Sequence, residues 1–403
     1  MSYRVRALRI DATLALCAAA ALLEGFDNQS MGVAAPRVIA EFGLSNAQAT
    51  ALFSAATVGL SVGALIGGRV ADHLGRKRTL IVSLLLFGFC SLLTAMAAGV
   101  HALFVARLLT GLGLGGAMPN FISLCSEATH AHQRVSVVTL IMATMPFGGA
   151  LAALVSVGAQ LGLSWRSIFY IGGGAPILIG CLMMALLPDT RRTSGAAQPS
   201  AAPRIESVAA TLFGSKHAPT TLLLWAAFFF TQLVLFMMLN WLPTLIVGLG
   251  FTRGDASWTS VCFNLGGSMG AGFLGYLHAG EHRRTWVLVT YTLMALSLAA
   301  VASVVKVFAV AASACALAGV FIVGAQLILF ALAPLYYGRA VRGTGVGAAV
   351  AAGRFGTIVG PLFAGGVLAS GGGSAAVLLA IVPFVVAGGG AAFALTWREQ
   401  VSD

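Results

Sequence analysis

Long apolar stretches recur along this chain, separated by short clusters of polar or basic residues. Twelve of them reach the roughly 20 residues that a helix needs to cross about 30 Å of hydrocarbon. They fall at 11–35, 46–70, 79–98, 101–126, 135–158, 165–187, 220–248, 256–278, 285–304, 309–336, 341–369 and 375–397. The break at 188–219 differs in kind: Pro188-Asp189-Thr190-Arg191-Arg192 leads into Ser-, Ala-, Gln- and Pro-rich sequence, the composition of a flexible linker. The pattern predicts an all-α membrane protein of twelve transmembrane helices in two six-helix bundles. The N-terminal bundle covers 1–188, a cytoplasmic linker 189–219 and the C-terminal bundle 220–403.

Composition excludes the competing class of two soluble domains. Charged residues are 9% of the 403, against roughly 25% in soluble domains. Fifty glycines suit helices that pack closely in lipid, and Gly63/Gly67, Gly111/Gly115, Gly266/Gly270 and Gly356/Gly360 have the four-residue spacing of such contacts. The six cysteines lie in apolar runs without C-x-x-C spacing, which argues for neither a disulfide framework nor a zinc site. Residues 1–23 resemble a signal peptide, but the runs that follow favour a retained first helix.

The net charge of +11 is scattered between apolar runs rather than gathered on one face, so it argues against nucleic acid and for topology. With both termini in the cytoplasm, only Arg37, Arg166, Arg253 and Lys306 fall outside, while Arg107 and Arg354 fall within helices. That asymmetry follows the positive-inside rule. The halves echo one another weakly: Gly75-Arg76-Lys77-Arg78 matches Glu281-His282-Arg283-Arg284, and Arg134 matches Arg342. Internal repeats of this kind are typical of transporters whose site lies between the halves near mid-membrane.

Two carboxylates, Glu24 and Asp27, stand in the middle of the first apolar run. Ionisable groups at that depth are expensive to bury and are candidate functional groups. Three residues apart, they share one helix face. At 1.5 Å per residue, Asp27 and Arg107 lie about 12 and 9 Å from the same surface, while Glu24 and Arg354 lie about 20 Å from the other. Acids and guanidiniums at matching depths can neutralise one another.

The stretch Gly68-Arg69-Val70-Ala71-Asp72-His73-Leu74-Gly75-Arg76-Lys77-Arg78 closely resembles the G-x-L-A-D-x-x-G-R-K-R signature of the major facilitator superfamily, and Arg107-Leu108-Leu109-Thr110-Gly111-Leu112-Gly113 its second motif. Gly111-x-Gly113-x-x-Gly116 also fits a dinucleotide-binding pattern, but no strand precedes it. Glu24-Gly25-Phe26-Asp27, Gly113 through Asn120, Ser126-Glu127 and Arg342 through Gly356 resemble the aromatic acid:proton symporters. Within them the likeness extends to the 3-(3-hydroxyphenyl)propionate transporters, supported by Asn240-Trp241-Leu242-Pro243 and Ala331 through Tyr337.

That resemblance implies a proton-coupled importer of a small aromatic carboxylate (hydroxyphenylpropionate or hydroxybenzoate class) in a bacterial inner membrane. It implies a monomer that uses the proton as coupling ion, with no other cofactor. Glu24 and Asp27 are expected to hold the proton, modulated by Arg107, because burial and a nearby guanidinium act on a carboxyl in opposite senses. Arg354 is expected to take the substrate carboxylate through its planar, bidentate donor set, the alternative being a structural partner to the acids of the first helix. Phe236 and Trp241 offer rings, and Asn28, Gln232, Asn240, Gln326 and Tyr336 offer polar groups. The resemblance further implies a cytoplasmic gate of Asp72, Arg76, Glu127 and Arg134, with Asp72 facing Arg134. The second-half loop lacks the aspartate, having His278 nearby. Proton-antiport export is the alternative, weakened because Met145-Pro146-Phe147-Gly148-Gly149 lacks the glycine before proline that exporters carry. No nucleophile constellation or metal spacing points to an enzyme.

Overall fold

The computed structural model describes residues 12–129, 134–158, 162–187, 213, 218–278, 283–303, 307–337 and 342–398. Among them every regular element is helical. The first half holds α1 (Ala12–Phe42), α2 (Asn46–Leu74), α3 (Arg76–Met96), α4 (Val100–Ala128), α5 (Arg134–Gly158) and α6 (Arg166–Leu186). The second holds α7 (Ala218–Gly248), α8 (Arg253–His278), α9 (Arg283–Ala302), α10 (Phe308–Leu332), α11 (Arg342–Ala369), α12 (Ser374–Ala380) and α13 (Val382–Leu395). The expected linker at 189–219 lies outside the described residues apart from Phe213, Ala218 and Pro219.

Local chemistry sets the ends of these helices. Ser45 caps α2 in a reciprocal box with Gln48, satisfying two donors that the first turn leaves open. Gly75, at φ 87°, makes the one-residue turn from α2 into α3 in a conformation that costs a larger side chain free energy. The twelfth predicted span is two helices instead of one: Pro383 in the first turn of α13 supplies no N–H to continue the ladder, and the chain breaks at Ile381. Pro334 likewise turns the end of α10 into a 3₁₀ turn at Ala333–Tyr336.

Ten spans are long and apolar enough to cross a membrane by themselves, counting α12 and α13 as one. Helices α1 and α8 are not among them. α1 carries Glu24, Asp27, Asn28 and Gln29 midway, and α8 carries Asp255, Ser260, Asn264 and Ser268. Their polar faces are affordable only because the rest of the bundle covers them.

Helix pairing repeats between the halves. α2 packs on α4, α1 on α5 and α3 on α4 and α6; α8 packs on α10, α7 on α11, and α9 on α10 and α13. Across the halves, α5 meets α8 and α11 meets α2, with α1 against α7 between them. The glycine pairs seen in sequence make these approaches: Gly63 and Gly67 lie on α4, Gly111 and Gly115 on α2, Gly266 and Gly270 on α10, Gly356 and Gly360 on α7. At Gly32 the fit across the halves is tight, because a Cβ there would run into the Leu239 carbonyl of α7, as one at Gly365 would run into the Thr50 side chain of α2.

Candidate functional site

The two acids of α1 are buried where α1, α4, α5 and α11 converge. Gly25 between them lies directly on the Met145 backbone of α5, which holds this turn of α1 in place. Asp27 accepts two parallel hydrogen bonds from Arg107 of α4, Nη1 to Oδ1 at 2.9 Å and Nη2 to Oδ2 at 3.0 Å. Both side chains are buried, and the guanidinium also lies 5.6 Å from the centroid of the Phe169 ring, within cation–π range. Its Nε is left without a partner. The pairing expected from depth alone is therefore present, with the fork-to-fork geometry that makes such pairs strong.

Glu24 lies one turn earlier and is 2% exposed, and its Oε2 has no hydrogen-bond partner. It is within electrostatic reach of Arg354 and of Asp27. Arg354 of α11 is half-buried and donates from Nη2 to the Met118 sulfur of α4 at 3.3 Å, so it spans the seam between the halves. The four charged groups thus form one cluster: a closed, buried ion pair, and beside it a buried acid and a half-buried base.

The remaining predicted residues divide by whether their polar atoms are already spent. Gln232 and Gln326 are buried with unsatisfied amide atoms. Phe236 is buried on the same helix as Gln232, and Asn28 is half-buried. Asn240 donates to the Phe236 carbonyl one turn back in its own helix. Trp241 is fully buried, donates to the Pro361 carbonyl and meets Phe53 edge-on at 4.9 Å, so it wedges α7, α11 and α2 together instead of lining a pocket. The Tyr336 hydroxyl donates to the Leu395 carbonyl at the end of α13, which ties the 3₁₀ turn down.

One group escaped the sequence reading. Gln29, buried two residues beyond Asp27, donates to the Leu239 carbonyl of α7 and accepts from Asn264 Nδ2 of α8, each at 3.2 Å. Ser156 of α5 meets Ser257 of α8 at 3.0 Å, and Arg37 donates to Ser156. Together with Gly32–Leu239 and Phe53–Trp241, these contacts zip the halves from the charged cluster toward the α1–α2 loop. The only hint in the sequence was that Gln29 stands among the polar residues interrupting an apolar run.

At the opposite face, Arg76 of α3 forms an ion pair with Glu127 of α4, both side chains about half exposed. The side chains of Asp72 and Arg134 lie outside the described residues, so the expected contact between them does too. Among the described residues no cluster of three His, Cys, Asp or Glu side chains is placed to hold a metal.

The family model for the Major Facilitator Superfamily matches residues 17–361. A 3-(3-hydroxy-phenyl)propionate transporter from Escherichia coli (strain K12) is 42% identical over 363 residues, 90% of this chain and 88% of that one. A gallate transporter from Pseudomonas putida is 32% identical over 383 residues, 89% of this chain and 85% of that one. Among solved structures, a bacterial homologue of the human lysosomal transporter Spinster, inward-facing and unoccupied, superposes with a TM-score of 0.78. It covers 95% of this chain and 96% of that one at 18% identity, a likeness of fold alone.

Proposed function

The chain belongs to the Major Facilitator Superfamily, and from that membership we propose that it is a multi-pass symporter that imports a small aromatic carboxylic acid with protons. The observation that carries the reading is the cluster of Glu24, Asp27, Arg107 and Arg354, drawn from α1, α4 and α11. Support for the substrate comes from relatives that carry hydroxyphenylpropionate and gallate.

In this mechanism Arg354 is shared. Without substrate its charge offsets that of Glu24. A substrate carboxylate arriving at Arg354 competes for the guanidinium, and Glu24 is then a buried acid without a counter-charge, a state that a proton relieves. Substrate and proton therefore load together. Asp27 stays paired to Arg107 and keeps that turn of α1 in position. Gln232, Phe236, Gln326 and Asn28 line the aromatic part of the site. Arg76 and Glu127, with Asp72 and Arg134, form the cytoplasmic gate, both termini being cytoplasmic. The halves, 1–188 and 220–403, rock about the seam to alternate access, in a bacterial inner membrane.

Reconstitution tests this. Proteoliposomes with an imposed inward proton gradient are expected to accumulate labelled 3-(3-hydroxyphenyl)propionate, gallate or 4-hydroxybenzoate, and to lose the accumulation when an ionophore collapses the gradient. Uptake that is indifferent to the gradient would remove the proton, and no uptake of any aromatic acid would remove the substrate class.

A further inference from the structure

Among the described residues, two glutamines in the second half carry buried polar atoms without a hydrogen-bond partner. Gln326 of α10 is buried with neither Oε1 nor Nε2 hydrogen-bonded, and Gln232 of α7 is buried with Oε1 unpaired. Other buried amides close to the seam have their N–H groups engaged. Asn240 donates to the Phe236 carbonyl, Asn264 to Ser260 and Gln29, and Asn120 to Gly116. Buried polar groups are normally satisfied, so orphan atoms mark either strain or a missing ligand.

The fold brings these two together. Phe228 and Phe330 pack edge to face with ring centroids 5.3 Å apart, joining α7 to α10. Gln232 follows Phe228 by four residues and Gln326 precedes Phe330 by four. Three short connections separate α7 from α10, so the two helices run antiparallel. One turn from each phenyl ring, on the same helix faces, therefore means the same level for both amides. Both positions follow one turn beyond the phenyl pair, on the faces through which α7 and α10 meet. The α11 backbone closes the third side: a Cβ at Gly353 would lie 3.2 Å from Gln232 Cγ, and the next residue is Arg354.

The kind of atom left over selects the ligand. Two carbonyl oxygens and the two N–H donors of one amide nitrogen await partners, and for Gln326 that set persists whichever way its amide is turned. A carboxylate offers acceptors only and cannot use the oxygens; Arg354 is its counterpart. A hydroxyl both donates and accepts. We propose that Gln232 and Gln326 together read a hydroxyl group on the ring of the substrate, and so set the preference for hydroxylated over unsubstituted aromatic acids. The proposal rests on the aromatic-acid reading above. The phenolic O–H donates to one Oε1 and accepts from the Gln326 amide, while the Phe228–Phe330 pair lies one turn away, beside the ring.

Binding of 3-(3-hydroxyphenyl)propionate and 3-phenylpropionate, which differ by that one hydroxyl, to the purified full-length protein tests it. The wild type is expected to favour the hydroxylated acid by about tenfold or more, because an analogue lacking the hydroxyl leaves the amides unpaired. In Gln326→Met and Gln232→Met that ratio should fall toward one. A ratio near one in the wild type, or a ratio preserved in both variants, overturns the assignment. If one variant does not fold, the wild-type ratio and the other variant still decide. A wild type that binds both acids equally removes only the hydroxyl reader; one that binds neither acid, nor gallate, nor 4-hydroxybenzoate, removes the substrate class and this inference with it.

Discussion

Asp27 and Arg107, in different helices and 80 residues apart, are joined by two parallel hydrogen bonds of 2.9 and 3.0 Å with both side chains buried. Neither charge is tolerable at that depth alone, so each is the condition for the other. Arg107→Ala should therefore cost about 3–5 kcal/mol of stability by leaving Asp27 uncompensated. The double variant Arg107→Leu/Asp27→Leu should recover a large part of the loss seen in the single variants Arg107→Leu and Asp27→Leu, and thermal unfolding of these three proteins and the wild type in detergent measures it. Additive losses would mean the two do not act as a pair.

Glu24 differs from Asp27 in its bonding: among the described residues its Oε2 has no partner, while both Asp27 oxygens are taken. Glu24→Gln keeps the shape and removes the titrating group. Uphill accumulation should vanish while substrate counterflow, which needs no net proton movement, persists. Undiminished accumulation in that variant would move the coupling elsewhere.

Arg354 reaches Met118 across the seam and shares its field with Glu24. Lysine keeps the charge but loses the planar fork. Arg354→Lys is expected to weaken binding of the aromatic acid by about tenfold or more, read by titration calorimetry, since bonds to charged groups are worth about 1.5–3 kcal/mol. Unchanged affinity would assign the guanidinium to Glu24 alone.

Gly32 sits where a side chain would meet the Leu239 carbonyl across the halves. Gly32→Val should hold α1 off α7 and open the zip that Gln29, Asn264, Ser156 and Ser257 complete. Transport should fall steeply, and a reporter Ser257→Cys should react faster with a membrane-impermeant maleimide. An unaltered labelling rate would show that closure tolerates the extra carbon atoms.

Glu41 lies beyond the span predicted to end at residue 35 and belongs to the surface. Hydrogen bonds from Arg166 and Trp165 hold its carboxyl below the ordinary range, the guanidinium contributing most. A folded-state value below the unfolded one means stability that is present at neutral pH and is lost as pH falls through the folded value. The pair is about a third exposed, so Glu41→Gln should cost less than about 1 kcal/mol at neutral pH. The gap between the two proteins should close in strongly acid solution, which unfolding followed against pH would record.

Much of this molecule could be read from the order of its residues. The apolar runs located the helices, because crossing hydrocarbon demands length and hydrophobicity that no other arrangement satisfies. Rise per residue put Asp27 level with Arg107, since a helix converts sequence position into depth. Which polar atoms are free was not legible, because that depends on neighbours far away in the chain. Trp241 and Tyr336 read as site residues, yet Pro361 and Leu395 already hold their polar ends. Gln29 read as nothing in particular, yet it ties α1 to both α7 and α8. Sequence determined the span pattern and the matching level of Asp27 and Arg107; only packing decided which polar groups were satisfied by the protein and which were left waiting for a ligand, because hydrogen bonds close in space and not along the chain.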